Sequence, residues 1–370
     1  MSDVAIIGGG IIGLTSAYFL AKEGASVAVH DRGDLGKEAS WAGAGILPPG
    51  DPDRAATPAD KLRGIGSVRF PEFSAELRDL TGIDNGYRRC GAIEFLTPED
   101  ADVPELWEAE GIAFERLTLA EARCLEPLGD VEGDAYLLPG CAQVRNPWHL
   151  RALVAACEKA GVQLYRNNGA DAWEFDGARI GALRLANGGR VTAGRFLLAA
   201  GAWSEALLRP LGHTPHVYPV LGQIAVLKGA GPARVLMLGK RYLVPRGDGL
   251  TLIGSTEEPE AGFEKRTTTE GIDGLLAFAR RTVPSLAGAA LETSWAGLRP
   301  GSPDGLPFIG RVPGWDNVFV AAGHFRAGVQ LSIGTAQAVT ELLTGKPTCV
   351  PLSAFALDRK PNATRSAFRS

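Results

Sequence analysis

The chain has 370 residues, room for two domains of ordinary size or one large one. Hydrophobic residues at 45% and charged residues at 22% fit a soluble globular protein, and no apolar run reaches the roughly 18 residues that a bilayer span needs. A net charge of −4 with scattered Lys and Arg argues against a nucleic-acid groove or a membrane-binding patch.

The first segment carries the strongest local signal. A short apolar strand from Val4 runs into Gly8, Gly10 and Gly13 in the spacing G-x-G-x-x-G. A helical pattern (Ile11, Ile12, Leu14, Ala17, Tyr18, Leu20) then stops at Gly24, and a second strand over 26–30 ends on Asp31. Gly8 permits the tight turn, Gly10 lets backbone approach a pyrophosphate, and Gly13 lets helix and strand pack closely. The helix N-terminus offers free N–H donors to an anion, and Asp31 lies where a carboxylate can bind ribose hydroxyls. The pattern predicts a dinucleotide site, with FAD and NAD both open. Asp3 stands where a basic leader would be needed, so no signal peptide is expected.

Residues 48–60 read as a surface loop and 63–80 as a helix broken near Pro71. A strand is expected over 87–96, followed by charged segments through Gly140. Asn146 then caps a helix over 148–160 that begins with Pro147 and ends before Gly161. A strand over 162–165, a hairpin-like turn at Asn187-Gly188-Gly189 and a strand over 195–200 follow. That last strand ends in Gly201, which brings bare backbone to a ligand edge. Strands at 242–244 and 250–255 and a helix over 272–282 lie in an inserted piece. Finally a strand over 318–322 leads through Gly323 into a helix over 328–343. Five cysteines (Cys90, Cys124, Cys141, Cys157, Cys349) and five histidines show no metal-ligand spacing, so no metal is expected and the thiols read as free in a reducing cytoplasm.

Several segments together resemble the FAD-dependent amine and amino-acid oxidases of the D-amino acid oxidase family, and among them the glycine oxidases of thiamine biosynthesis. They are the glycine turn, Ala39-Ser40-Trp41-Ala42-Gly43-Ala44-Gly45-Ile46-Leu47, and Tyr242-Leu-Val-Pro245. The others are Trp295-Ala-Gly-Leu-Arg299-Pro-Gly301 with Asp304-Gly305, and Gly323-His-Phe-Arg326-Ala-Gly328. The resemblance implies an α/β fold, a Rossmann-type FAD-binding domain interleaved with an α+β substrate domain on an antiparallel sheet. The expected FAD-binding segments are 1–82, 141–213 and 295–370, and the substrate-binding segments 83–140 and 214–294. Non-covalent FAD is placed against Ile11, Ile12, Asp31, Arg32, Ala39, Ser40, Ala44, Gly45 and Ile46, with backbone near Ala170. The turn of His324, Phe325, Arg326, Ala327, Gly328, Val329 and Gln330 completes that set.

The substrate carboxylate is assigned by resemblance to Arg299 and Arg326, with the Tyr242 hydroxyl as a third contact. The chemistry agrees, since an arginine fork matches a carboxylate in two parallel hydrogen bonds. An internal acid such as Asp304 is the competing partner for each arginine. The implied reaction is oxidative deamination of glycine or a similar small amino acid or N-methyl amine by hydride transfer to flavin N5, with molecular oxygen giving hydrogen peroxide. No side-chain acid or base is required, and His324 reads as a turn residue. A flavin-dependent D-amino acid dehydrogenase or sarcosine oxidase is the near alternative, and a non-catalytic dinucleotide-binding protein the distant one. The family suggests a homo-tetramer. Two departures from the family's pattern bear on substrate range: Leu221 replaces a basic residue, and Glu257 replaces an apolar one near the substrate side, where it reads as a solvated loop acid, with attraction of a cationic amine the alternative.

Overall fold

The computed structural model describes residues 2–360; residue 1 and residues 361–370, the outer ends of the expected FAD-binding segments, lie outside them. Alternation along the strand Ser2–Ile7 sets the layering. Val4 and Ile6 sink into a core shared with helices, while Ala5 and Ile7 face a second core with Trp173, Ile180 and Leu183. A strand apolar on both faces belongs in the middle of a covered parallel sheet. Its sheet has the order Phe308–Arg311, Val318–Ala322, Ala193–Leu198, Ser2–Ile7, Val27–His30, Gln163–Tyr165. All neighbours are parallel except the first pair. Helix Ile11–Lys22 packs against Asn146–Lys159 and Gly328–Thr344 on one face, and helix Pro58–Thr81 packs against Gly328–Thr344. The antiparallel strands Ala170–Asp176, Arg179–Leu185 and Arg190–Val191 cover the other face, the expected turn at 187–189 joining the last two.

The second part is built on an eight-stranded sheet in the order Ala290–Gly301, Tyr218–Lys228, Leu250–Gly254, Arg241–Pro245, Val235–Leu238, Ala92–Leu96, Asp134–Leu138, Glu115–Leu117. Its pairs are antiparallel apart from Val235–Leu238 with Ala92–Leu96. Helix Thr269–Thr282 covers one face through Ile272, Leu275, Leu276 and Ala279. On Tyr218–Lys228, Ala225 and Leu227 point into that core, whereas Ile224 and Val226 belong to the opposite one. The α/β architecture with an α+β second part is the expected one. The strand Ala290–Gly301 runs straight through position 294/295, the expected domain boundary.

Three local expectations differ. Helix Pro58–Thr81 continues through Pro71. A proline ring removes one helical hydrogen bond, but the flanking Phe70 and Phe73 are buried, and their packing overrides the local loss. The strand over 87–96 is two strands, Arg88–Arg89 and Ala92–Leu96, in different sheets, divided at Gly91 with φ of +72°. Asn146 is the first residue of its helix and not its cap; its Nδ2 donates to the Ser40 carbonyl at 2.7 Å instead.

Candidate active site

The C-terminal ends of the parallel strands and the inner face of the second sheet open onto one cavity of about 730 Å³. At one end lies the glycine turn. A Cβ on Gly8 would collide with the Ala199 carbonyl, and one on Gly13 with the Gly8 carbonyl; at Gly10 the nearest atom is Ser40 Oγ, at 3.1 Å. Gly8 and Gly13 are therefore backed by the protein's own backbone, whereas at Gly10 the close neighbour is a side-chain hydroxyl. Ser40 Oγ accepts from the Ile11 N–H at 3.0 Å, and the first turn of Ile11–Lys22 carries no acid, so the positive helix end faces the cavity uncompensated. Asp31 accepts from Gly9 N at 2.7 Å and from Gly33 N at 2.8 Å, one bond to each oxygen, which fixes the carboxylate and leaves lone pairs for another donor. Arg32 stacks on the Trp203 ring at 3.5 Å. The segment 39–46 is held from behind by Trp295, whose Nε1 donates to the Ala42 carbonyl at 3.0 Å.

At the far end Arg299 projects from Ala290–Gly301. Its Nη1 donates to the Thr256 carbonyl at 3.2 Å and its Nη2 to Ser255 Oγ at 2.6 Å. Both acceptors are neutral, and among the described residues no carboxylate lies within ion-pair distance of it. Burial drags its pKa down, the mark of a cation removed from water, and the Tyr242 hydroxyl lies against it. Bare backbone makes the room: a Cβ on Gly222 would collide with the Arg299 guanidinium, and one on Gly254 with the Tyr242 ring. The expected competitor Asp304 is engaged elsewhere, with Arg359 at 2.7 and 2.9 Å.

Arg326 differs. Its Nη1 donates to Glu257 Oε2 at 3.3 Å and its Nη2 to the Lys240 carbonyl at 3.1 Å, while Glu257 Oε1 accepts from Lys240 Nζ at 2.6 Å. Glu257 is thus no solvated loop acid but a cavity-wall carboxylate with its side chain 23% exposed. Burial pushes its pKa up, but Lys240, Arg326 and Arg299 outweigh that and hold it below the usual carboxylate value. His324 is buried, which pushes its pKa down to about 3, and its Nε2 meets Thr335 Oγ1 at 3.0 Å. The ring is neutral and fastened, as a turn residue would be.

A family model described as DAO, FAD dependent oxidoreductase, matches residues 3–342. The chain belongs to the DAO family of FAD-dependent oxidoreductases. It is 36% identical to a glycine oxidase of Pseudomonas aeruginosa, over 95% of this chain and 98% of that one. It is 33% identical to a glycine oxidase of Geobacillus kaustophilus, over 96% and 97%. The crystal structure of glycine oxidase from Geobacillus kaustophilus superimposes with a TM-score of 0.91 over 97% of this chain and 99% of that one. The cofactor of this family is FAD, and the cavity suits it: an open glycine cradle, an uncompensated helix end and a fixed acid stand where a dinucleotide needs them.

Every residue that the family resemblance singled out for cofactor or substrate lines this cavity; of the three motif glycines Gly8 and Gly10 line it too, and Gly13 stays behind it, in the helix–strand contact. Leu221 does not line it. It is fully buried, pointing away from the Gly222 side of its strand, so its departure from the family pattern does not touch the cavity. Sequence reasoning missed Trp203, Ser255, Lys240 and Gly222. A glycine inside a strand signals close approach of another group, but not which one.

Proposed function

We infer that this protein catalyses the FAD-dependent oxidative deamination of glycine or a similar small amino acid or N-methyl amine, yielding the 2-oxo acid, ammonia or an amine, and hydrogen peroxide. Full-length similarity to glycine oxidases supports the reaction class. The observation that carries the site assignment is Arg299, a guanidinium on the cavity wall that donates hydrogen bonds to neutral oxygens and has no carboxylate in ion-pair contact among the described residues. A half-buried guanidinium with donors to spare and no acid in direct contact is suited to a ligand carboxylate.

Bound FAD supplies the two-electron acceptor and the route onward to molecular oxygen. The chain supplies position. Arg299 takes the carboxylate in a two-pronged grip, Tyr242 steadies it from the hydroxyl side, and Arg326 adds positive potential nearby. Holding one end of so small a molecule fixes the direction of its α-carbon, which is worth more than any acid or base here. Of the cavity's His residues, His324 is engaged with Thr335 and neutral, so the amine proton leaves to solvent and not to that ring. The helix Gly328–Thr344 begins at the cavity with no acid in its first turn, so its positive end favours negative charge gathering there. Cytoplasmic location, assembly as a tetramer and a two-domain division, with the strand Ala290–Gly301 shared across the expected 294/295 boundary, belong to the same reading. Among the described residues no helix is long and apolar enough to cross a membrane.

Arg299→Leu tests the reading. If the contact is worth about 3–5 kcal/mol, glycine turnover falls by about two to four orders of magnitude while the purified protein keeps its yellow colour. A colourless variant would assign Arg299 to the fold, and unchanged kinetics would remove it from the site. Oxygen uptake during turnover separates an oxidase from a dehydrogenase.

A further inference from the structure

We propose that Glu257 is a specificity-determining residue: held between Arg326 and Lys240, its carboxylate stands where a second acid group of a substrate would go, and so restricts the site to amino acids with one carboxylate. The proposal rests on the reading of Arg299 as the carboxylate anchor.

The two arginines at this end of the cavity are not equivalent. Arg299 gives its hydrogen bonds to neutral oxygens, whereas Arg326 and Lys240 both meet the same carboxylate, that of Glu257. Three cations therefore share one protein anion, and that anion lies on the Arg326 side. A ligand with one carboxylate finds an open partner at Arg299. A ligand with two must displace Glu257 from Arg326 or bring a second negative charge beside it, and like charges brought that close discriminate against it.

Glu257 is also placed with respect to Arg299 by the chain itself. The residues just before it, Ser255 and Thr256, supply the Oγ and carbonyl that hold Arg299. The residue after it, Glu258, exchanges backbone hydrogen bonds with Leu221 at 3.0 and 3.2 Å, and Thr256 Oγ1 accepts from Gln223 N at 2.9 Å. Arg299 and its neighbouring anion are thus set by one short segment pinned to Tyr218–Lys228. A loop acid free to swing away would give no such selection.

The rival account is that Glu257 only props Arg326, in which case its loss weakens all ligands alike. The FAD-loaded protein distinguishes them. Dissociation constants of acetate and malonate are read from perturbation of the flavin spectrum, and kcat/KM is compared for sarcosine and N-(carboxymethyl)glycine. Both ratios are measured in the parent, Glu257→Gln, Glu257→Asp and Lys240→Met. Glu257→Gln should shift both ratios toward the dicarboxylate by about tenfold or more, chiefly through KM. Glu257→Asp should keep the parent ratios, and Lys240→Met should move them away from the dicarboxylate. Ratios unmoved by Glu257→Gln, or moved the same way by Lys240→Met, overturn the proposal. If no amine is oxidised yet the malonate-to-acetate ratio moves as stated, the reaction reading fails and this inference stands. If sarcosine is oxidised and the ratios stay fixed, the reverse holds.

Discussion

At residue 222 the absence of a side chain decides where Arg299 can lie. Gly222 sits opposite Gly297 across the pair of strands Tyr218–Lys228 and Ala290–Gly301, and the Arg299 guanidinium rests on the space where a Cβ would be. Gly222→Ala puts a methyl group into that space. The obstructed atoms are the far end of a flexible side chain, so the arginine swings aside and the fold pays little. The expected outcome is a protein that keeps its FAD and its thermal midpoint, while KM for glycine rises by about tenfold or more. A KM within twofold of the parent would show that Arg299 does not need this position to bind substrate. Arg299 and Arg326 were legible in the chain because glycines and prolines enclose them in recognisable motifs. Gly222 was not, since its meaning depends on register between strands some seventy residues apart. Glu257 was legible as a departure near the substrate side but not as the partner of Arg326 and Lys240, because whether an acid meets solvent or a cation is a matter of what the fold brings beside it.

Among the elements, the helices Pro58–Thr81 and Gly328–Thr344 show how backbone contact positions the site. A Cβ on Gly334 would stand 2.6 Å from the Leu62 carbonyl and 3.0 Å from its Cα, and one on Gly66 would collide with the Gln330 carbonyl. Glycines on both helices thus let the backbones touch, and the second helix presents its N-terminus to the cavity. Unlike the obstruction at Gly222, this one is backbone and cannot move aside. Gly334→Ala should therefore destabilise the protein by about 1–3 kcal/mol, as overpacking does, and weaken FAD retention because the helix start is displaced. Denaturant unfolding of the FAD-loaded protein, with the flavin released on dilution measured alongside, checks both. Equal stability and equal flavin content would show that the helices can separate at no cost. The helices themselves announce their apolar spacing in the sequence. Their crossing point does not, and neither does the survival of the first helix through Pro71, because both are consequences of tertiary packing.

Across the whole molecule, the strand-helix-strand start and the last strand-helix unit were readable as parts of one sheet, since each carries its own glycine turn. How the inserted strands assemble was not. The pairing of Val235–Leu238 with Ala92–Leu96 joins segments about 140 residues apart, and no local pattern records it. A similar long-range tie closes the C-terminal part. Arg359 donates to both Asp304 oxygens and to the Leu306 and Pro307 carbonyls, and lies 3.9 Å from the Phe308 ring. The ion pair is nearly enclosed, at 6% and 5% side-chain exposure. Burial pushes the Asp304 pKa up, but the Arg359 hydrogen bond and charge outweigh it and hold the carboxyl below its ordinary value. A depressed folded-state pKa means that the carboxylate stabilises the fold fully above the unfolded value, about 4, and loses that contribution as pH falls through the folded one. Asp304→Asn leaves a buried guanidinium without its anion, which costs about 3 kcal/mol at pH 7. At a pH below the folded value the parent is protonated at the same place, so the two proteins should converge. Denaturant unfolding of parent and variant at pH 7 and at successively lower pH, below the unfolded carboxyl value of about 4, reads how the difference shrinks. A gap that persists undiminished at the lower pH would mean that Asp304 acts through its shape and hydrogen bonds, and that the charge contributes nothing.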